Sequence, residues 1–319
     1  MKNGLEHSNL QNRDLFRISK LEFRICCEAV LRSYSIIFFS QSRLFGAALL
    51  GATLIAPQFG LLGLAGLVVA YVAARLLGFD VSNVRNGVYL FNSLLVTLAL
   101  AFLNNFQALA LPALATLLVA ASVITLFASV FMIDVFFRHY ALPALSFPFV
   151  WVAFALFFLF YSFSHMPITS EAPVYLLPTI GNLPGLSTGF FQALGAIFFL
   201  PNTTVGLIIF ACLVVWSRLA VLYAVVGYVS GVLLMQSLGM DTLPGNLGFI
   251  GFNFVFCAIA LGGIFLVPSR SSLLLVVLGS FFCVTIAVAV NTFLKYFGIP
   301  PLALPLNLEM AATAEMLDI

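Results

Sequence analysis

Polar and apolar residues fall in long alternating blocks along this chain, not in an amphipathic rhythm. Nothing ionised at neutral pH lies between Arg43 and Arg75, Arg85 and Asp134, Glu171 and Arg218, Asp241 and Arg270, or Arg270 and Lys295. A helix that crosses a bilayer needs about 20 mostly apolar residues, so each interval holds one or two spans. Runs such as Leu61 to Ala70 and Ala108 to Ala121 are apolar almost all round. That excludes membrane β-strands, whose lumen face alternates with polar residues. The pattern predicts an all-α polytopic membrane protein.

In chain order, the blocks predict a polar arm, two helical halves, a linker and a tail. Residues 1–28 form the arm, and six Lys/Arg against four acids up to residue 32 place it in the cytoplasm by the positive-inside rule. Leu15, Ile18, Leu21 and Ile25 fall at helical spacing, as in an interfacial helix. No apolar stretch follows Met1, so no cleaved signal peptide is expected. Ile36-Ile37-Phe38-Phe39 before Arg43 is too short to span and reads as a short helix over residues 30–39. Apolar helices follow over about 45–74, 87–104, 108–133 and 149–163, closing a first half at 29–163. The region 164–185, with Pro167, Pro173, Pro178 and Pro184, reads as a linker. The second half occupies 186–308, and 309–319 reads as a C-terminal tail.

The halves repeat one another. Ile36-Ile37-Phe38-Phe39 returns as Ala196-Ile197-Phe198-Phe199, and Gly46 as Gly206. Leu90-Phe91-Asn92 returns as Gly251-Phe252-Asn253. Leu142-Pro143-Ala144-Leu145-Ser146-Phe147-Pro148-Phe149 returns as Ile299-Pro300-Pro301-Leu302-Ala303-Leu304-Pro305-Leu306. Three landmarks in one order at nearly one offset indicate a duplication. Each half carries about five spans plus one short pore helix, and an odd number of spans makes the second half insert upside down, giving two inverted repeats. Proline breaks a helix, and broken backbone is tolerated at membrane depth only where protein or a wet cavity satisfies it. The two proline motifs therefore mark a permeation or binding site.

Composition narrows the chemistry. The chain is 63% hydrophobic and 8% charged, with a formal charge of +2, which gives nucleic acid no hold. Cys26, Cys27, Cys212, Cys257 and Cys283 have no metal-ligand spacing, and neither a metal nor a cofactor is expected. Three scattered histidines and no hydrolase or metalloprotease constellation argue against an enzyme. Asp134 and Arg138, four apart, are placed to pair on one helix face. Charges sit at segment ends, which disfavours an ion-coupled transporter, since coupling uses ionisable groups inside the membrane.

The paired proline motifs, the aromatic-Asn segment and the short Phe-Phe helix resemble the bacterial urea transporter family, over about residues 30–308. The resemblance implies a channel of the bacterial inner membrane, passive, for urea or a similarly small neutral amide. It implies a homotrimer in the lipid bilayer, one pore per protomer, with a phenylalanine slot and oxygen acceptors. Lining roles would fall on Phe39, Phe91 and Leu95 in the first half and on Ile197, Phe252 and Phe256 in the second. The family's mid-pore threonines correspond to Ser146 and Ala303, so one hydroxyl is kept and one lost. Its short-helix Gln or Glu corresponds to Ile36 and Ala196. An ammonia or water channel on the same fold, or an ion-coupled transporter, stays open as the alternative.

Overall fold

The structure is a computed structural model that describes residues 20–106, 109–140, 143–164, 185–240 and 244–317. Its elements are helical throughout these residues. The first half comprises α1 (residues 20–36), α2 (Arg43–Leu54), α3 (Pro57–Leu76), the short α4 (Val81–Arg85), α5 (Phe91–Phe106), α6 (Leu111–Tyr140) and α7 (Phe147–Ser164). The second comprises α8 (Gly185–Ala196), α9 (Thr203–Trp216), α10 (Arg218–Ser237), α11 (Pro244–Ala260), α12 (Arg270–Leu294) and α13 (Leu304–Leu317). Apart from α4, the order of short and long helices in one half is that in the other. The chain is an all-α polytopic membrane protein.

Local chemistry sets the boundaries. The apolar stretch over 45–74 is split because Pro57 cannot continue a helix but suits the first position of a new one. Ser42 caps α2, Asn202 caps α9 through Thr204 and Val205 N–H, and Ser217 caps α10. Ser269 and Ser272 form a reciprocal capping box at the start of α12. α11 runs on into a π-helical turn, Leu261–Phe265.

Among the described residues, five helical stretches are long and apolar enough to cross a membrane: α3, most of α6, α10, Leu247–Phe265 and α12 with its 3₁₀ extension. α5 and α11 lie at the centre, with Leu94, Val96, Leu98, Phe254, Val255 and Cys257 fully buried. The outer helices turn large apolar side chains outward: Leu61 on α3, Ile124 and Phe131 on α6, Leu233 on α10, Leu274 and Phe282 on α12. Such a belt is untenable in water and natural in lipid.

Repeat mates meet each other where the halves join. α2 packs on α9, α7 touches α13, and the Phe38 ring lies 6.4 Å from the Phe198 ring. Inside each half the same close approach recurs. A Cβ on Gly46 would fall 1.8 Å from the carbonyl oxygen of Leu31, and one on Gly206 falls 1.8 Å from that of Phe191. Only glycine lets α2 press onto α1 and α9 onto α8 this closely.

Several expected boundaries shift. The short helix expected over 30–39 starts by residue 20, so the described part of the arm, 20–28, is helix. Ion pairs hold that extension down. The buried Glu28 carboxylate accepts from Arg24 (3.4 Å), Arg43 (2.9 Å) and Arg85 (2.5 Å), and Glu22 pairs with Arg75 at 2.6 Å. The hydrogen-bonded Arg85 guanidinium pulls the Glu28 pKa down to about 2. Glu22 is lowered as well, by Arg75 first and then by the Tyr71 hydroxyl. At the other end α13 continues to Leu317, so residues 309–317, expected as tail, are helix with Glu309, Met310 and Ala314 buried. The expected linker lies outside the described residues except for Ser164 and Gly185, which belong to helices.

Candidate permeation site

Both short helices end in the same way. Beyond α1, Phe39 N–H donates to the Ile36 carbonyl and Ser40 N–H to that of Ser35; beyond α8, Phe199 N–H donates to Ala196 and Leu200 N–H to Gly195. This is the Schellman closure, which needs a left-handed residue, usually glycine, just past the helix. Here it is phenylalanine twice, Phe39 at φ 58° and Phe199 at φ 60°. A bulky residue held there stores about 1–3 kcal/mol of strain, as functional turns often do. The closure uses the carbonyls of Ser35 and Ile36, and of Gly195 and Ala196. Those of Ile37, Phe38, Ile197 and Phe198 accept no bond among the described residues.

The proline motifs form a second pair of matched turns. Leu145 (φ 43°) and Leu302 (φ 51°) are left-handed, Phe147 N–H donates to Ala144 and Leu304 N–H to Pro301. The asparagine of each aromatic-Asn segment holds the turn of its own half. Asn92 Nδ2 donates to the Leu145 carbonyl at 3.4 Å, and Asn253 Nδ2 to the Leu302 carbonyl at 3.0 Å. In the second half the bracket is doubled, since Asn253 Oδ1 also accepts from Leu306 N–H at 3.2 Å. Asn92 Oδ1 is buried with no partner among the described residues.

These four turns surround one cavity of about 270 Å³. The short helices contribute Ile36, Ile37 and Phe39, and Ala196, Ile197 and Phe199. α5 contributes Phe91 and Leu95, and α11 Phe252 and Phe256. The first proline turn lines it from Pro143 to Ser146 and with Phe149, the second with Ala303, Leu306 and Met310. Ser146 alone among the lining residues has a hydroxyl, and none of them is charged. Among the described residues no group of three or more His, Cys, Asp or Glu is placed to hold a metal ion.

A duplicated all-helical membrane fold with paired left-handed turns around an uncharged cavity is the context for the comparison with known families. The model of the urea transporter family matches residues 27–316. The chain belongs to that family.

All eight residues singled out in this urea transporter family member by the sequence, Phe39, Phe91, Leu95, Ser146, Ile197, Phe252, Phe256 and Ala303, lie on the wall of the same cavity. So do Ile36 and Ala196, the two short-helix positions where the resemblance leads us to expect an amide or carboxyl group. Gln41, close by in sequence, is exposed, and neither it nor Gln192 lines the cavity. Asp134 and Arg138 do pair, at 2.6 Å and largely exposed, and neither lines the cavity.

Three features escaped the sequence reading. Phe199 lines the cavity as the counterpart of Phe39, a role its place in the repeat already signalled. Asn307, fully buried, accepts from both Ser146 N–H (3.3 Å) and Ser146 Oγ–H (3.1 Å) across the join between halves. Its signal was an amide one helical turn beyond Ala303 in an otherwise apolar segment. The third corrects the expectation that charges stay at segment ends. Glu309 is fully buried on α13, accepts from Thr313 Oγ1 at 2.9 Å, and leaves Oε2 unpartnered among the described residues. It lies next in sequence to the lining residue Met310.

Proposed function

We propose that this chain is a passive channel for urea or a similarly small neutral amide, with the pore running through the cavity between its two halves. One observation carries the reading: eight positions drawn from six separate segments, chosen for one role, line a single uncharged cavity. The halves are read as inverted repeats about a pseudo-two-fold axis in the membrane plane. Contacts between repeat mates, α2 on α9 and α7 on α13, support that, because an element meets its own counterpart only near such an axis.

Urea is flat, with four N–H bonds along its edges. Rings on the cavity wall such as those of Phe91 and Phe252 suit a flat solute and deny hydrated ions the water they need. The carbonyls of Ile37 and Ile197, residues of the cavity wall, with the Ser146 hydroxyl, supply acceptors that replace urea's water. A permeant has to bind well enough to enter and weakly enough to leave, and thinned side-chain chemistry of this kind favours the second. The reading includes a trimer in the bacterial inner membrane with one pore per protomer. It also includes a cytoplasmic N-terminus, supported by the arginines gathered around α1.

Stopped-flow light scattering on proteoliposomes tests it. Vesicles holding the protein are expected to re-swell in urea well faster than empty ones, and equal rates overturn the proposal. Water and ammonia permeabilities from the same preparation decide whether either of those is the better permeant.

Glu309 favours a second reading, transport coupled to a proton or cation, because a carboxyl group buried within the protein is the kind of group such coupling uses. Uphill accumulation of urea that collapses on adding an ionophore would establish it. Equilibration without accumulation leaves the channel.

A further inference from the structure

We infer that Asn307 is a specificity-determining positioning residue, which fixes the Ser146 hydroxyl as an acceptor and so tunes the pore to solutes that present N–H groups. The inference rests on the channel reading and refines it.

A serine hydroxyl has one proton and two lone pairs. Asn307 Oδ1 is a pure acceptor, so the contact at 3.1 Å consumes the Ser146 proton. The amide orientation follows from the neighbouring bond, because Ser146 N–H also points at Oδ1, at 3.3 Å, and requires an oxygen there. Ser146 sits on the cavity wall while Asn307 is fully buried behind it. What is left toward the cavity is therefore lone pairs only. The N–H side of urea's edge presents only donors, so a fixed lone pair serves it, whereas a freely rotating hydroxyl spends part of its time opposing N–H with O–H. Water donates and accepts equally well and is nearly indifferent to that rotation.

The arrangement is confined to one side of the pore. In the second half the counterpart of Ser146 is Ala303, and the counterpart of Asn307 in the first half is Val150. The second motif has lost its own hydroxyl, yet its helix α13 supplies the amide that directs the one remaining. A further observation points to a bound water at this turn. Asn307 Nδ2 and Asn92 Oδ1 are both buried without partners among the described residues, a donor and an acceptor on groups that hold the consecutive residues Ser146 and Leu145. Unpaired groups of opposite sense suit an ordered water held at that turn, behind the cavity wall.

The test uses the full chain in proteoliposomes, with urea and water permeabilities from the same vesicles. Asn307→Leu, close in volume, is expected to lower the urea-to-water ratio about 2- to 10-fold, the worth of one net hydrogen bond. Ser146→Ala is expected to lower it by a similar factor, and the double variant no further, because the two residues act as one unit. An unchanged ratio in Asn307→Leu, or factors that multiply in the double variant, overturns the inference. If Asn307→Leu gives no single gel-filtration peak, Asn307→Ala is read by the same criteria. If the wild type passes formamide but not urea, the urea assignment falls and the formamide-to-water ratio decides this inference. A wild type closed to both overturns the two together.

Discussion

Ala303 stands where the first half has Ser146, and its methyl group faces the same cavity. Returning a hydroxyl there with Ala303→Thr adds an acceptor on the second half of the path. One net hydrogen bond is worth about 0.5–1.5 kcal/mol. Urea permeability at low urea concentration is expected to rise about 2- to 10-fold in stopped-flow assays, provided binding limits flux. An unchanged or lower permeability would mean that oxygens at this position are not used by the solute. The residues legible from sequence at this scale were those repeated in both halves, because a motif seen twice separates itself from the apolar background. Asn307 and Glu309 occur once and have no counterpart to announce them. Their roles depend on which side chains α13 meets across the join.

At the scale of elements, glycines decide how closely each short helix seats. Gly46→Ala and Gly206→Ala each drive a Cβ into a backbone carbonyl that no rotamer change can move aside. Both are expected to cost about 1–3 kcal/mol, the usual penalty of overpacking, read as a lower unfolding temperature of the detergent-solubilised protein. Gly51→Ala is the control. It lies mid-helix on α2 with nothing within 4 Å of an added Cβ, so it should be neutral or slightly stabilising. Equal losses at Gly46 and Gly206 would speak for matched packing in the two halves, and a loss at only one would speak against it. Helix identity was readable in the charge-free intervals, but the left-handed turns at Phe39, Phe199, Leu145 and Leu302 were not. Nothing in a phenylalanine or leucine advertises positive φ. The surrounding packing imposes it, through Asn92 and Asn253 at the proline turns and through helix closure at the short-helix ends.

For the molecule as a whole, the α1 extension is bound to α2, α3 and α4 chiefly by charge. Glu28 has a folded pKa of about 2 against an ordinary 4.5. A carboxyl group with a depressed folded pKa stabilises fully above its unfolded value, and that contribution drains away as pH falls toward the folded value. The attachment of residues 20–28 is therefore expected to be pH-independent near neutrality and to loosen between about pH 4.5 and 2. Hydrogen exchange confined to α1 would report it. Glu28→Gln should give the loosened state at pH 7, and protection unchanged in both experiments would mean that apolar contacts hold α1 instead. The sequence by itself determined the membrane class, the duplication and the family, because lipid demands long uncharged stretches and a repeat carries its own internal control. Only the tertiary structure decided that four distant turns enclose one cavity, that the Ser146 hydroxyl is held from the other half, and that a carboxylate is buried on α13. Those facts depend on contacts between segments up to 161 residues apart, and no pattern along the chain encodes such a distance in space.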